Sequence, residues 1–405
     1  MTKLEITLSQ LNRYLWTRQG FAATEAPRPA AEVIEAVPGI YGAAPTCYLS
    51  VLARSPGANL AEIDDLLYAQ RSVVRIRAMR ATLFLVTVRD LPDIFQATSH
   101  LTRHAFAELV RNSGLTDEAY RHAAARIEAA LEAAPLTIAE IRQAVADLPA
   151  HVLAALNYVI GLMCGEGRLI RAGVRGGWRS DITEYARLSD WLPGVDLGAG
   201  DAERGRVLLA RRYFHVFGPA SADDFHWWSG LSREEADAAI AALGGELLPV
   251  TVRDLPGELL VPATAAEELA GLPDEGPRGI RLLPAWDAYL TAYRVRGRFL
   301  QRRWYERIYD RAGNPTSAVL RDGRIGGVWD MEERQGRLDV KVALFDPADR
   351  RTWREIDRVA ERLAEAIGAA QHRVLRCPLP PPFTAGAAGR IRSPLEGIEG
   401  ERPDL

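Results

Sequence analysis

The sequence predicts an α+β protein: three tandem winged-helix modules followed by a small C-terminal β-rich domain. Three observations predict it. Between about Asp117 and Leu188 the chain reads helix, helix, helix, hairpin, the order of a winged helix. The same order returns from about Asp201 to Val261, and a looser copy runs from Leu8 to Val86. From near Arg278 the pattern changes to closely spaced strands and one amphipathic helix. The boundaries that follow are 1–112, 113–195 and 196–277 for the modules, 278–370 for the β-rich domain with its helix, and 371–405 for a mobile tail.

The middle module is the clearest. Apolar residues at helical spacing (Ala119, Tyr120, Ala123, Ile127, Ala130, Leu131) stop at Pro135. Thr137 followed by Glu140 is a capping box that opens a second helix, and Pro149 starts a third through Leu153, Leu156, Ile160 and Met163. Gly167–Gly173 and Gly176–Trp178 are the expected strands of its wing. In the last module a helix runs from Asp201 to Val216, Ser221 and Ser232 cap two more, and a hairpin turns over Asp254–Gly257. In the first, helices are expected near Leu8–Phe21, Ala30–Val37 and Leu60–Gln70, with strands at Val73–Arg77 and Thr82–Val86. In the C-terminal domain Ser317–Arg321, Gly326–Trp329 and Leu338–Leu344 are strands, and Asp349–Ile367 is a helix. The proline-rich Pro378–Pro382 and the small residues after it give the tail its expected mobility.

At 405 residues, 48% apolar and 25% charged, the composition is that of an ordinary soluble protein of several compact units. No run reaches the roughly 18 apolar residues of a membrane helix, so no membrane partner is expected. The N-terminus lacks a secretory layout, and Cys47, Cys164 and Cys377 form no CxxC pair. A cytoplasmic monomer with no metal or cofactor is the expectation. His100, His104 and Glu108 share a helical stretch but lack further ligands, and are read as surface groups. Trp227 and Trp228 are read as core packing.

The net charge of −3 shows no basic excess, but only two residues, Lys3 and Lys341, are lysine, so nearly all positive charge is arginine. The guanidinium fork pairs with phosphate at two points and stacks on bases. Four arginine-rich stretches stand out. Arg71, Arg75, Arg77 and Arg80 lie in or beside the first wing, and Arg168, Arg171, Arg175 and Arg179 decorate the second. Arg204, Arg206, Arg211 and Arg212 share a helix. Arg294, Arg296, Arg298, Arg302, Arg303 and Arg307 interleave with Tyr293, Phe299, Trp304 and Tyr305. Double-stranded DNA is the expected partner, with Arg71, Arg75, Arg77, Arg80, Arg171, Arg175, Arg294 and Arg296 as contacts.

Four stretches resemble one family in order. They are Leu11-Asn-Arg-Tyr-Leu-Trp-Thr-Arg-Gln19, the Arg71–Val86 segment, Pro219–Gly230, and Arg281-Leu-Leu-Pro-Ala-Trp-Asp-Ala-Tyr-Leu-Thr-Ala-Tyr-Arg294. Together they make the chain similar to the AlkZ/YcaQ-like winged-helix DNA glycosylases over roughly residues 8–345. The resemblance implies a C-shaped scaffold with duplex DNA along its concave side. It also implies hydrolysis of an N-glycosidic bond through a cationic sugar, removing bulky alkylated purines or unhooking interstrand crosslinks. Members of the family carry a Gln-x-Gln or Gln-x-Asp pair that orients water and stabilises that cation.

Here the sequence departs. The motif should follow Gly39-Ile40, and the positions hold Tyr41, Gly42 and Ala43. The catalytic pair is therefore absent. Tyr41, whose hydroxyl is a poor base at neutral pH, and the acids Glu35 and Glu32 on the preceding helix are the remaining candidates. Asp287, in the last matching stretch, is either a functional acid or a cap or brace of the domain junction. Two function classes stay open: DNA glycosylase-like DNA binding, with excision undecided, and a winged-helix transcriptional regulator without enzymatic activity.

Overall fold

The computed structural model describes residues 4–22, 28–383, 393 and 395–403 as a mixed α+β fold. Local signals placed in the sequence form as read. Thr7 and Gln10, not marked in the sequence, add a reciprocal capping box for the Leu8–Arg18 helix. Thr137 with Glu140, Ser221 with Asp224 and Ser232 with Glu235 do the same for the helices Ile138–Ala144, Ala222–Ser229 and Arg233–Leu243. Each box satisfies amide donors that the helix start would otherwise leave bare. Hairpins form at Val73–Arg77 with Leu83–Thr87, and at Leu247–Val252 with Leu259–Pro262.

The second wing differs from expectation. Its strands are Leu169–Val174 and Thr183–Arg187, and Gly176–Trp178 lies in the turn between them. Gly176 and Gly177 have φ of +94° and +89°, which a strand cannot use, and the Trp178 ring packs edge-on against Tyr48 at 6.0 Å. The wing is thus folded back onto the N-terminal part. Arg179 at its tip pairs with Glu333 of the C-terminal sheet at 3.4 Å.

The pairing of strands ignores the boundaries read from sequence. The first and second hairpins share one five-stranded sheet, joined at the pair Arg75–Arg171, with Leu136–Thr137 at its far edge. Leu4–Ile6 pairs in parallel with Leu247–Val252, so the start of the chain completes the third hairpin. One apolar cluster joins the N-terminal and third segments with part of the middle and C-terminal ones, residues between Val110 and Tyr185 form a second, and the C-terminal sheet under its helix forms a third.

A 22-residue helix, Leu91–Asn112, is the axle of this arrangement. It packs against the helices Leu156–Gly165 and Ala202–Phe217. Gly205 is what lets the last of these come so close, because a Cβ there would sit 2.1 Å from the Asp93 carbonyl oxygen.

The C-terminal sheet runs in the order Gln371–Arg376, Arg337–Leu344, Arg324–Arg334, Ala318–Arg321, Ile280–Leu283. The Arg350–Ile367 helix covers it with Trp353, Ile356, Ala360 and Leu363. Gln371–Arg376, read from sequence as tail, is an edge strand paired in parallel with Arg337–Leu344. Glu401 bridges Arg376, and Leu395 is buried, so these parts of the expected tail are held by the sheet and core. Residues 384–392, 394 and 404–405 of the expected tail lie outside the described residues.

Candidate nucleic-acid interface and motif loop

The motif loop is an added edge on the first wing. Gly42 donates its N–H to the Leu83 carbonyl at 2.9 Å, and Leu85 donates to the Ile40 carbonyl at 3.0 Å. A Cβ on Gly42 would lie 3.1 Å from both the Leu83 side chain and the Phe84 carbonyl carbon. Such a contact is tighter than most packed side chains adopt, so an alanine here makes its neighbours yield by a few tenths of an ångström. Tyr41 stacks its ring on Trp286, 5.2 Å between centroids and 23° between planes. Trp286 holds a φ of +62°, an unfavourable angle for a bulky residue.

Glu35 is exposed and paired with Arg89 at 2.8 Å, and Arg89 also reaches Asp90 at 3.3 Å. Glu32 pairs with Arg28 at 3.7 Å. Among the described residues, no hydrogen bond or ion pair connects either acid with Tyr41, so the structure does not assemble these sequence candidates into one site. Asp287 is fully buried and forms a two-point pair with Arg54, both contacts at 2.7 Å, with Ser50 donating to it at 2.8 Å. It braces the junction between the N-terminal helices and the C-terminal domain.

Ion pairing sorts the arginines. The helix cluster is neutralised: Arg204 pairs with Asp93, Arg206 with Glu235, Arg211 with Glu246 and Arg212 with Asp90. On the second wing Arg168 pairs with Glu128, and Arg175 bridges Glu140 and Glu184. Arg175 is exposed, yet both carboxylates compete with phosphate for it. Arg75 is a correction to the sequence reading. It is 4% exposed and bonds inward to the Tyr68 and Tyr48 hydroxyls and the Cys47 sulfur, so it offers nothing to a phosphate. Arg75 shares a strand face with Arg77, but Tyr48, Tyr68 and Cys47 cover it there.

The others differ. Among the described residues, no carboxylate pairs with the side chains of Arg71, Arg77, Arg80, Arg171, Arg294 or Arg296. Arg71 lies 3.8 Å above the Trp191 ring and donates to its carbonyl at 3.0 Å. Arg77 lies over Phe106 at 4.9 Å and donates to the Ala81 carbonyl at 2.9 Å. Arg171 donates to the Thr183 hydroxyl at 3.2 Å and lies 5.7 Å from the Tyr185 ring. Burial, and then the neighbouring charge of Arg171, lower the Arg77 pKa. Arg75, Arg77 and Arg171 line a cavity of about 270 Å³ with Phe106, Tyr158 and Tyr185, and none of its lining residues is acidic.

A second cationic group sits where the first wing meets the third and C-terminal segments. Arg80, with φ +52°, lies 4.5 Å from the Trp227 ring, and Arg296 lies 5.5 Å from the same ring. Arg296 also stands 3.8 Å above Tyr309. Trp227 is therefore a platform between two guanidiniums, while Trp228 is the core residue the sequence suggested. Exposed Arg294 and Val295 hang beside it on a loop whose amides donate to the buried Asp224 carboxylate.

A small niche of about 40 Å³ opens between the motif loop and the second wing. Gly42, Ala43 and Ala44 form one wall, and Ser180, Asp181 and Thr183 the other, with Arg171 at its side. Sequence reasoning passes over Asp181, Trp286 and Arg54, because nothing local marks residues that meet only through the fold. Among the described residues no group of three or more His, Cys, Asp or Glu is placed to hold a metal ion, and His100 instead approaches Glu235 at 3.8 Å.

Tandem helical units with hairpins, unpaired arginines on aromatic platforms and a motif loop at their junction define a DNA glycosylase-like protein. The match to the AlkZ-like DNA glycosylase model spans residues 30–366, and the chain belongs to that family. It is 23% identical over 328 residues to an interstrand DNA cross-link repair glycosylase of Streptomyces sahachiroi, covering 75% of this chain and 81% of that one. The solved structure of the Streptomyces sahachiroi DNA glycosylase AlkZ superposes with a TM-score of 0.74 at 19% identity, covering 92% of this chain and all of the other. That likeness carries the fold. No helix among the described residues is long and apolar enough to cross a membrane.

Proposed function

We propose that this protein binds duplex DNA as a base-excision glycosylase for bulky alkylated purines or crosslinked bases. The helix groups, each followed by a hairpin, support reading the scaffold as three winged-helix modules curved around the duplex. The observation that carries the proposal is the gathering of Arg77 and Arg171 in an acid-free cavity beside the Tyr41–Ala43 loop. Two guanidiniums facing one another without counter-ions repel, and a DNA phosphate relieves that repulsion. Arg80 and Arg296 on Trp227, with Arg71 and Arg294, extend the same surface. The family assignment leaves the transcriptional-regulator alternative without support.

The chemistry requires a water near the sugar and a negative or dipolar group to stabilise the cationic sugar. Tyr41 stacks on Trp286, which suits it to packing against the DNA. The test is duplex binding across a salt series. A steep loss of affinity with salt supports phosphate contacts, and a salt-independent affinity contradicts the proposal.

A further inference from the structure

The missing motif side chains leave a vacancy, and the fold supplies a carboxylate across from it. We infer that Asp181, on the turn of the second wing, is the acidic catalytic residue of this chain, acting on a water held in the niche beside Ala43. The inference rests on the excision reading above.

Four observations lead there. The niche of about 40 Å³ exceeds the roughly 10–15 Å³ that one water needs. Its motif side is Gly42, Ala43 and Ala44, three residues without a polar side-chain atom, so side-chain chemistry comes from the other lining residues, Arg75, Arg171, Ser180, Asp181 and Thr183. Asp181 carries the only carboxylate among the lining residues, beside Ser180 and Thr183. Among the described residues its carboxylate accepts no hydrogen bond and pairs with no cation. Asp181 is exposed, so its carboxylate is open to solvent and to a bound duplex, whereas Glu140 and Glu184 nearby are held by Arg175.

The turn is also fixed rather than free. Trp178 packs on Tyr48, and Arg179 pairs with Glu333 at 3.4 Å. Ser180 donates its amide to the Gly177 carbonyl at 2.9 Å, and its hydroxyl accepts from the Ile182 amide at 3.1 Å. The three residues before Asp181 and the amide of the one after it are thereby held, which is what positioning a base requires. Arg171, in the same niche, places a cation for the flanking phosphate next to the carboxylate.

The step balances. The bond between C1′ and the purine nitrogen breaks, and its electron pair leaves with the alkylated base, neutralising the base's positive charge. The water oxygen forms the new bond to C1′, and its proton passes to the Asp181 carboxylate. Before attack, the same negative charge stabilises the cationic sugar.

The test uses the full chain and Asp181→Asn, with thermal melting to show that both fold. Two probes are used: a duplex with a bulky alkylated purine, and a duplex with a cationic azasugar compared with one carrying a neutral tetrahydrofuran at the same place. The expected result is a loss of about 100-fold or more in single-turnover base release, the scale of a lost general base. Affinity for undamaged duplex should change little, and the preference for azasugar over tetrahydrofuran should vanish in the variant. Base release by Asp181→Asn at the parent rate overturns the assignment of Asp181 and leaves the glycosylase reading standing. No release by the parent, together with no azasugar preference, overturns both.

Discussion

Arg54 and Asp287 meet at two contacts of 2.7 Å with neither side chain exposed, binding the end of the Thr46–Leu52 helix to the first residues of the C-terminal domain. Arg54 also donates to Gln19 at 3.2 Å, whose amide reaches the Val216 carbonyl at 2.9 Å. One ion pair thus ties three parts of the chain that lie far apart in sequence. Removing a single partner leaves a buried charge without compensation. Arg54→Met or Asp287→Asn should each cost about 3–5 kcal/mol in denaturant unfolding. A cost below about 1 kcal/mol would show that the junction does not depend on the pair.

Gly42→Ala should disturb the motif loop. Its methyl would meet the Leu83 side chain and the Phe84 backbone, to which Gly42 is joined by its hydrogen bond to Leu83. Overpacking of this kind costs about 1–3 kcal/mol. Differential scanning calorimetry should show a lowered Tm, with base release reduced alongside it. An unchanged Tm would mean that the loop shifts freely.

Arginines that touch phosphate and arginines that hold the fold should separate by experiment. Arg77→Gln and Arg171→Gln should each lower the slope of log affinity against log salt by about 0.9. Arg75→Met should leave that slope unchanged and lower stability instead, since its partners are Tyr48, Tyr68 and Cys47. A slope that responds to Arg75 but not to Arg77 would invert this assignment.

The C-terminal sheet should weaken in acid. Burial alone would raise the Asp339 carboxyl, but Arg373 and Arg337 outweigh it and hold it below the usual carboxylate value. The unfolded chain then takes up the proton first. The stability from this site is complete above the unfolded value of about 4 and is lost as pH falls through the lower folded value. Thermal melting of the parent and Asp339→Asn should show a gap near neutrality that narrows as pH falls below about 4. A gap independent of pH would assign the effect to packing.

What could be read from the chain divides by range. Capping boxes at Thr137, Ser221 and Ser232 are local chemistry, and they mark their helices within a few residues. The family resemblance places Tyr41, Gly42 and Ala43 at the motif, although the contacts that crowd Gly42 are with Leu83 and Phe84 on another strand. Arginine clusters are visible as sequence, but their availability is not. Arg75 and Arg77 sit two apart on one strand, and only the sheet's far neighbours show that the first is buried. The merger of two wings into one sheet rests on a single cross-boundary pair, Arg75–Arg171, which no periodicity announces. Asp181 is less visible still, because its turn reads as an ordinary polar loop until the fold sets it across from Ala43.

The most direct test of the central claim is a single-turnover incubation of the protein with duplex DNA carrying a bulky alkylated purine, following free base and bound duplex together. Base release above the spontaneous rate, with affinity that falls as salt rises, is the predicted result. Tight binding without release would contradict excision while keeping the DNA interface, and neither binding nor release would contradict both.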